Sequence, residues 1–89
     1  MRSLINEDFL KAYRRLPKEV REQARKAYQQ FKQNPQHPGL NFKSIHPSQP
    51  FYSARISRGY RTVGILDEDV IIWFWIGSHA DYDKLISSL

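Results

Sequence analysis

The chain has 89 residues, 40% of them hydrophobic, with five Phe, five Tyr, two Trp and no Cys; this supports one compact domain over 1–89 and excludes disulfides and thiolate metal sites. Its net charge of +5 is split unevenly, +9 over residues 1–66 and −4 over 67–89, a balance that suits nucleic acid, the ribosome or an acidic protein as well as it suits mere solubility. The longest apolar run, 70–77, is far shorter than the ~20 residues of a membrane span, and no apolar stretch of leader length opens the chain, so the expectation is a cytoplasmic protein with no membrane partner.

Residues 6–16 read as a helix. Asn6 is placed to cap it, Glu7 and Asp8 suit its positive end, and Phe9, Leu10, Tyr13 and Leu16 form one apolar stripe. Pro17 breaks the pattern and opens a second helix over 18–33, whose buried stripe is Val20, Ala24, Ala27, Tyr28 and Phe31. Asn34-Pro35 ends it, and so short a break between the two helices predicts an antiparallel hairpin. After the loop at 34–39, Leu40, Phe42 and Ile45 suggest a short strand. Beyond the turn at 46–50 the period changes from 3.6 to 2, which predicts strands over 51–57, 60–66 and 70–76, each pairing antiparallel with the next. Tyr82, Leu85, Ile86 and Leu89 return to helical spacing over 81–89, and residues 2–5 could add one more strand. Helices first and a meander sheet after them give an α+β fold: an N-terminal helical hairpin packed on an antiparallel sheet, with a short C-terminal helix.

The turn at 57–59 governs which side chains meet. A two-residue loop, Arg58-Gly59, pairs Ser57 with Tyr60 and puts Arg55 and Arg61 on opposite faces. A three-residue loop pairs Ile56 with Tyr60 and Arg55 with Arg61, and it wants a left-handed glycine at its end, where Gly59 stands. The second register also gathers Tyr52, Ala54, Ile56, Tyr60 and Leu66 on one face as a core, so it is preferred. Two guanidiniums then lie side by side. That is costly unless an anion, carboxylate or phosphate, lies between them or they splay into solvent. The last strand runs back past Arg61 with residues 75 and 76 as its neighbours, so His79 emerges near the two arginines and Tyr82 follows. Arginine can stabilise charge on phosphorus, histidine can move the proton of a 2′-hydroxyl or a leaving oxygen, and tyrosine can donate a hydrogen bond or stack on a base.

Each of these residues also has a plainer role. His79 could simply cap a helix. His37 and His46 flank prolines and look like turn residues, and three scattered histidines make no metal site. Tyr82 has core spacing with Leu85 and Ile86. Trp73 and Trp75 are read as sharing one face of the last strand, as core or partner surface rather than base-stacking platforms. The basic face of the second helix is a solvated face that could also steer RNA.

Taken together, the Leu16-Pro17 break, the Asn34-Pro35 to Pro38-Gly39 loop, the Arg55-x-x-x-Gly59-Tyr60-Arg61 hairpin, the apolar last strand and the ending Gly77-Ser78-His79-Ala80-Asp81-Tyr82-Asp83-Lys84-Leu85-Ile86 resemble the RelE/ParE superfamily of small toxins from bacterial toxin–antitoxin pairs. The resemblance covers nearly the whole chain. It implies metal-independent, cofactor-free cleavage of mRNA on the ribosome, through attack of a 2′-hydroxyl on the adjacent phosphate. Arg61 matches the strand arginine that contacts the scissile phosphate. Arg55 lies where relatives often carry lysine, Ser53 replaces a second lysine, and His79 falls where relatives carry arginine or histidine. Tyr82 lies near a family tyrosine at a different spacing. The implied catalytic set is Arg61, His79, Arg55 and Tyr82, with Lys43, Arg58 and Ser53 positioning RNA. The implied partners are a cognate antitoxin, mRNA and the ribosome. ParE-like members instead inhibit DNA gyrase without catalysis, and an inactive member would only bind its antitoxin.

Overall fold

A computed structural model describes residues 1–89. Strand β1 (Arg2–Ile5) leads into α1 (Glu7–Arg14), and α2 (Lys18–Gln33) follows. The Asn6 side chain accepts the Phe9 amide at 2.9 Å and so satisfies one of the orphan donors at the start of α1. The link between the helices is pinned by polar contacts: the Arg21 guanidinium donates to the Leu16 carbonyl, and Arg25 Nε donates to the Tyr13 hydroxyl at 3.0 Å. The strand expected from Leu40, Phe42 and Ile45 is mostly replaced by a 3-10 turn, Pro38–Leu40, and the two-residue β2 (Lys43–Ser44). Asn41 takes a left-handed φ of 47°, which ends that turn and lets Leu40 sink into the core at 1% exposure. Strands β3 (Phe51–Ser57), β4 (Tyr60–Asp67) and β5 (Val70–Ser78) follow, then α3 (His79–Ser88).

The expected meander is present, and β1 joins it. The sheet order is β1-β5-β4-β3-β2; β1 runs parallel to β5 and the other pairs are antiparallel, so the sheet is mixed. The helices α1 and α2 lie on one face, over β5 and β3, while α3 packs on β4 and β5. The main core lies beneath α2: Ala27, Phe31, Leu40, Ala54, Ile71 and Trp73, flanked by Tyr52, Ile56 and Leu66. Trp73 meets Phe31 edge-on, with 5.3 Å between ring centres. The opposite face is only partly covered: Val63 is fully buried there, while Ile65 is 37% exposed.

Two bulges correct the expected registers. Arg55 does pair with Arg61, yet Ser57 pairs with Tyr60. The extra residue is Ile56, absorbed in the strand as a bulge rather than in the turn. No glycine has a positive φ, so Gly59 does not supply the left-handed turn residue anticipated for it. In β5, Val63 pairs with Trp75 and Gly64 with Trp73, which leaves Phe74 as the odd residue. This bulge slides the end of β5 by one place, so Arg61 faces Gly77 rather than residues 75 and 76. It also sends the tryptophans to opposite faces: Trp73 into the main core and Trp75 toward Tyr82 on α3, at 6.3 Å. Thr62 steadies the distorted segment by donating to the Trp75 carbonyl at 2.8 Å. Gly64 makes the distortion possible, because a Cβ there would lie 2.8 Å from the Trp73 ring.

Candidate active site

The ladder register puts Arg55 and Arg61 on the face that α3 crosses. Arg55 is exposed, whereas Arg61 is half-buried. The Arg61 Nε and Nη1 atoms are shut off from solvent and have no hydrogen-bond partner. Three neighbours produce this. Gly77, directly across from Arg61, has no side chain, and the Trp75 ring occupies the room: a Cβ on Gly77 would lie 2.7 Å from that ring. The Tyr82 ring stands over the guanidinium, 5.7 Å from Cζ. Tyr82 is itself 5% exposed, and its hydroxyl donates to Ser53 Oγ at 3.1 Å. A buried cation with idle donors is expensive unless an anion serves it. The arrangement is therefore a half-built anion site, roofed by an aromatic ring.

His79 is the first residue of α3 rather than the strand end the spacing suggested, since Ser78 caps the helix by accepting the Asp81 amide at 3.2 Å. The His79 amide donates to the Gly59 carbonyl at 2.8 Å, which clips the helix start to the β3–β4 turn. The imidazole meets the Tyr82 ring edge-on at 5.8 Å, and Nδ1 lies 3.3 Å from Asp83 Oδ2. His79 and Arg61 thus both lie against the Tyr82 ring. The imidazole is 46% exposed, so water or a ligand can reach it.

The remaining candidates divide by burial. Lys43, Arg55 and Arg58 are exposed, and Lys43 sits across from Ser53 on the adjacent strand. Ser53, a candidate for touching RNA, has no exposed surface, and its hydroxyl is taken up by Tyr82. In this conformation it supports the ring and contacts no ligand. Tyr82 is likewise enclosed, so base stacking on it requires α3 to shift. Sequence reading missed Asp83, Trp75 and Gly77. The i,i+4 spacing of His79 and Asp83 on a helix was the one available signal for Asp83; the other two depend on the bulge. His37 and His46 are turn staples, as their neighbouring prolines suggested. His37 Nδ1 accepts the Gly39 amide, and His46 Nδ1 accepts those of Ser48 and Gln49. No group of three metal-ligating side chains occurs.

Residues 18–84 match the model of the ParE-like toxin domain family. The chain belongs to that family, and its class is the toxin of a toxin–antitoxin system. The fold is also that of solved toxins. A RelB–RelE antitoxin–toxin complex from Methanococcus jannaschii matches at TM-score 0.71 and 19% identity, covering 92% of this chain and 96% of that one. YafQ from E. coli BL21(DE3) matches at TM-score 0.72 and 12% identity, covering 92% and 98%. The toxin–antitoxin complex RelBE of E. coli matches at TM-score 0.64 and 24% identity, covering 85% and 93%. A sequence search of the curated proteins finds no match.

Proposed function

We infer that the protein cleaves RNA, with mRNA on the ribosome as the substrate and a cognate antitoxin as its natural inhibitor. The observation that carries this reading is the pair of idle, buried donors on Arg61 and the exposed imidazole of His79 against the same tyrosine. In the proposed reaction a ribose 2′-oxygen attacks the adjacent phosphorus while its proton passes to a base. The bond from phosphorus to the 5′-oxygen breaks, and that oxygen takes up a proton. The products are a 2′,3′-cyclic phosphate and a free 5′-hydroxyl. Arg61, assisted by Arg55, binds the phosphoryl oxygens as negative charge builds on them. His79 is the proton-transfer group, with the Asp83 carboxylate 3.3 Å from Nδ1 leaving Nε2 for the proton. Lys43 and Arg58 guide the strand. The antitoxin is inferred from the RelB-bound neighbours of M. jannaschii and E. coli.

The test is incubation of the purified protein with ribosomes carrying a defined mRNA, followed by mapping of the new 5′ ends. Cuts at discrete positions that disappear in Arg61→Ala and His79→Ala, with both variants folded, support the assignment. Undiminished cutting in both variants overturns it. The ParE-like family match favours a second reading, inhibition of DNA gyrase without catalysis. Expression that halts replication with DNA breaks while mRNA stays intact selects that reading. An inactive member that only binds its antitoxin would do neither.

A further inference from the structure

The helical hairpin carries a groove that takes no part in the site on the other face of the sheet. It runs between α1 and α2, with Ile5 of β1 at its margin, and has a volume of about 330 Å³. That is the size of a pocket for a small molecule. It is smaller than a single turn of a partner helix, about 10 Å across and about 5.4 Å long. Its walls are the half-buried rings of Phe9, Tyr13 and Tyr28, with Ala24 buried among them. Both tyrosine hydroxyls are already engaged: that of Tyr13 accepts from Arg25 Nε at 3.0 Å, and that of Tyr28 donates to the Ser3 carbonyl at 3.1 Å. The rings therefore serve the groove as apolar walls.

The rim is cationic and nothing in the chain neutralises it. Arg25 and Lys32 are exposed and neither forms an ion pair. They stand two turns apart on α2, about 10 Å along its axis, so their long side chains can close on one anionic group from both sides. The Lys32 ammonium rests over the Tyr28 ring, 5.2 Å from its centre, where a carboxylate would otherwise be expected. No acidic side chain lines the groove, and none occurs from Gln23 to Leu66. Between the two cations, one turn from each, stands the exposed amide of Gln29. The lining thus asks for three things in one small molecule: a flat ring, an anionic group, and an edge that pairs a donor with an acceptor. A fatty acid meets only the second and leaves Gln29 idle. Adenine has the edge, because a glutamine amide pairs with its N6 and N7 together. Its faces stack on aromatic rings, and a phosphate attached through ribose takes Arg25 and Lys32. We propose that the α1–α2 groove is a binding site for free adenosine monophosphate, with the base against Phe9, Tyr13 and Tyr28, its edge on Gln29, and its phosphate on Arg25 and Lys32. The site is independent of Arg61 and His79 and does not rest on the RNA-cleaving reading.

The test titrates the full-length protein with adenosine 5′-monophosphate, by isothermal calorimetry and by NMR. The expected result is saturable binding that shifts the amides of residues 5–13 and 24–32. Adenosine, which lacks the phosphate, and inorganic phosphate, which lacks the base, should each bind at least tenfold more weakly. Arg25→Ala and Lys32→Ala, both at exposed positions and checked for folding by circular dichroism, should each weaken binding at least fivefold. Gln29→Leu should erase the preference for the adenine nucleotide over cytidine monophosphate. Decanoate bound as tightly as the nucleotide, shifts confined to Arg61, Tyr82 and His79, or no binding at millimolar nucleotide would overturn the proposal. So would an adenine oligonucleotide that binds tighter than the monomer, since the groove would then belong to an RNA strand. Absence of RNA cleavage in any sample, with the nucleotide result intact, would sink the nuclease reading and spare this site.

Discussion

Replacing Arg61 with methionine should abolish function and make the protein more stable. Methionine keeps an unbranched stem between the Trp75 and Tyr82 rings but removes the two buried donors that have no partner. Each buried, unsatisfied donor costs about 1–3 kcal/mol. The contact between the guanidinium and the Tyr82 ring returns about 0.5–2 kcal/mol, which the variant forfeits. With two such donors the cost removed is about 2–6 kcal/mol, so the net gain for Arg61→Met is centred near about 3 kcal/mol. For a domain of this size each 1 kcal/mol corresponds to a rise in Tm of about 4–8 °C. Urea and thermal unfolding followed by tryptophan fluorescence measure it. Inorganic phosphate provides the companion test: it should raise the Tm of the wild type more than that of Arg61→Met, because the variant keeps only the exposed Arg55 there. A variant that unfolds more easily than the wild type would refute the reasoning, since it would mean that the donors are already served.

Three further outcomes follow from the same geometry. Tyr82→Phe should cost about 1 kcal/mol by loss of the Ser53 hydrogen bond; in a double-mutant cycle with Ser53→Ala the two losses should be strongly non-additive, as urea denaturation of all four proteins would reveal. Gly77→Ala should destabilise by about 1–3 kcal/mol, because the new methyl collides with the Trp75 ring, and it should shift the emission of that tryptophan. His46→Ala should release the Ser48 and Gln49 amides, cost about 1 kcal/mol, and raise hydrogen exchange in the 46–50 turn while leaving α3 protected.

The helices and strands were legible because local chemistry specifies them. Asn6 caps α1, Pro17 separates α1 from α2, and the acidic turn Glu68-Asp69 divides β4 from β5. The Arg55–Arg61 pairing was reached through a turn of the wrong length, and it survives because the Ile56 bulge restores the count that the tighter turn removes. The bulge at Phe74 left no local mark. It depends on Gly64 admitting the Trp73 ring and on Thr62 reaching the Trp75 carbonyl, both residues of another strand. For that reason the facing of Trp75 and the opposition of Gly77 to Arg61 were not readable from alternation. Burial was partly hidden. Ser53 was read as positioning RNA, and Tyr82, whose spacing already suggested packing, was also a catalytic candidate; the docking of α3 encloses both.

That enclosure sets a threshold for any ligand of the half-built site. An anion that is to touch Arg61 Nε reaches it only when α3 moves aside, and α3 is held there by the clip from His79 to Gly59, the hydroxyl link from Tyr82 to Ser53 and the packing of the Tyr82 ring beside Trp75 and Arg61. The affinity seen from outside is then the intrinsic affinity scaled by the fraction of time the roof is raised. Loosening the roof would tighten apparent binding without altering one atom of the arginine.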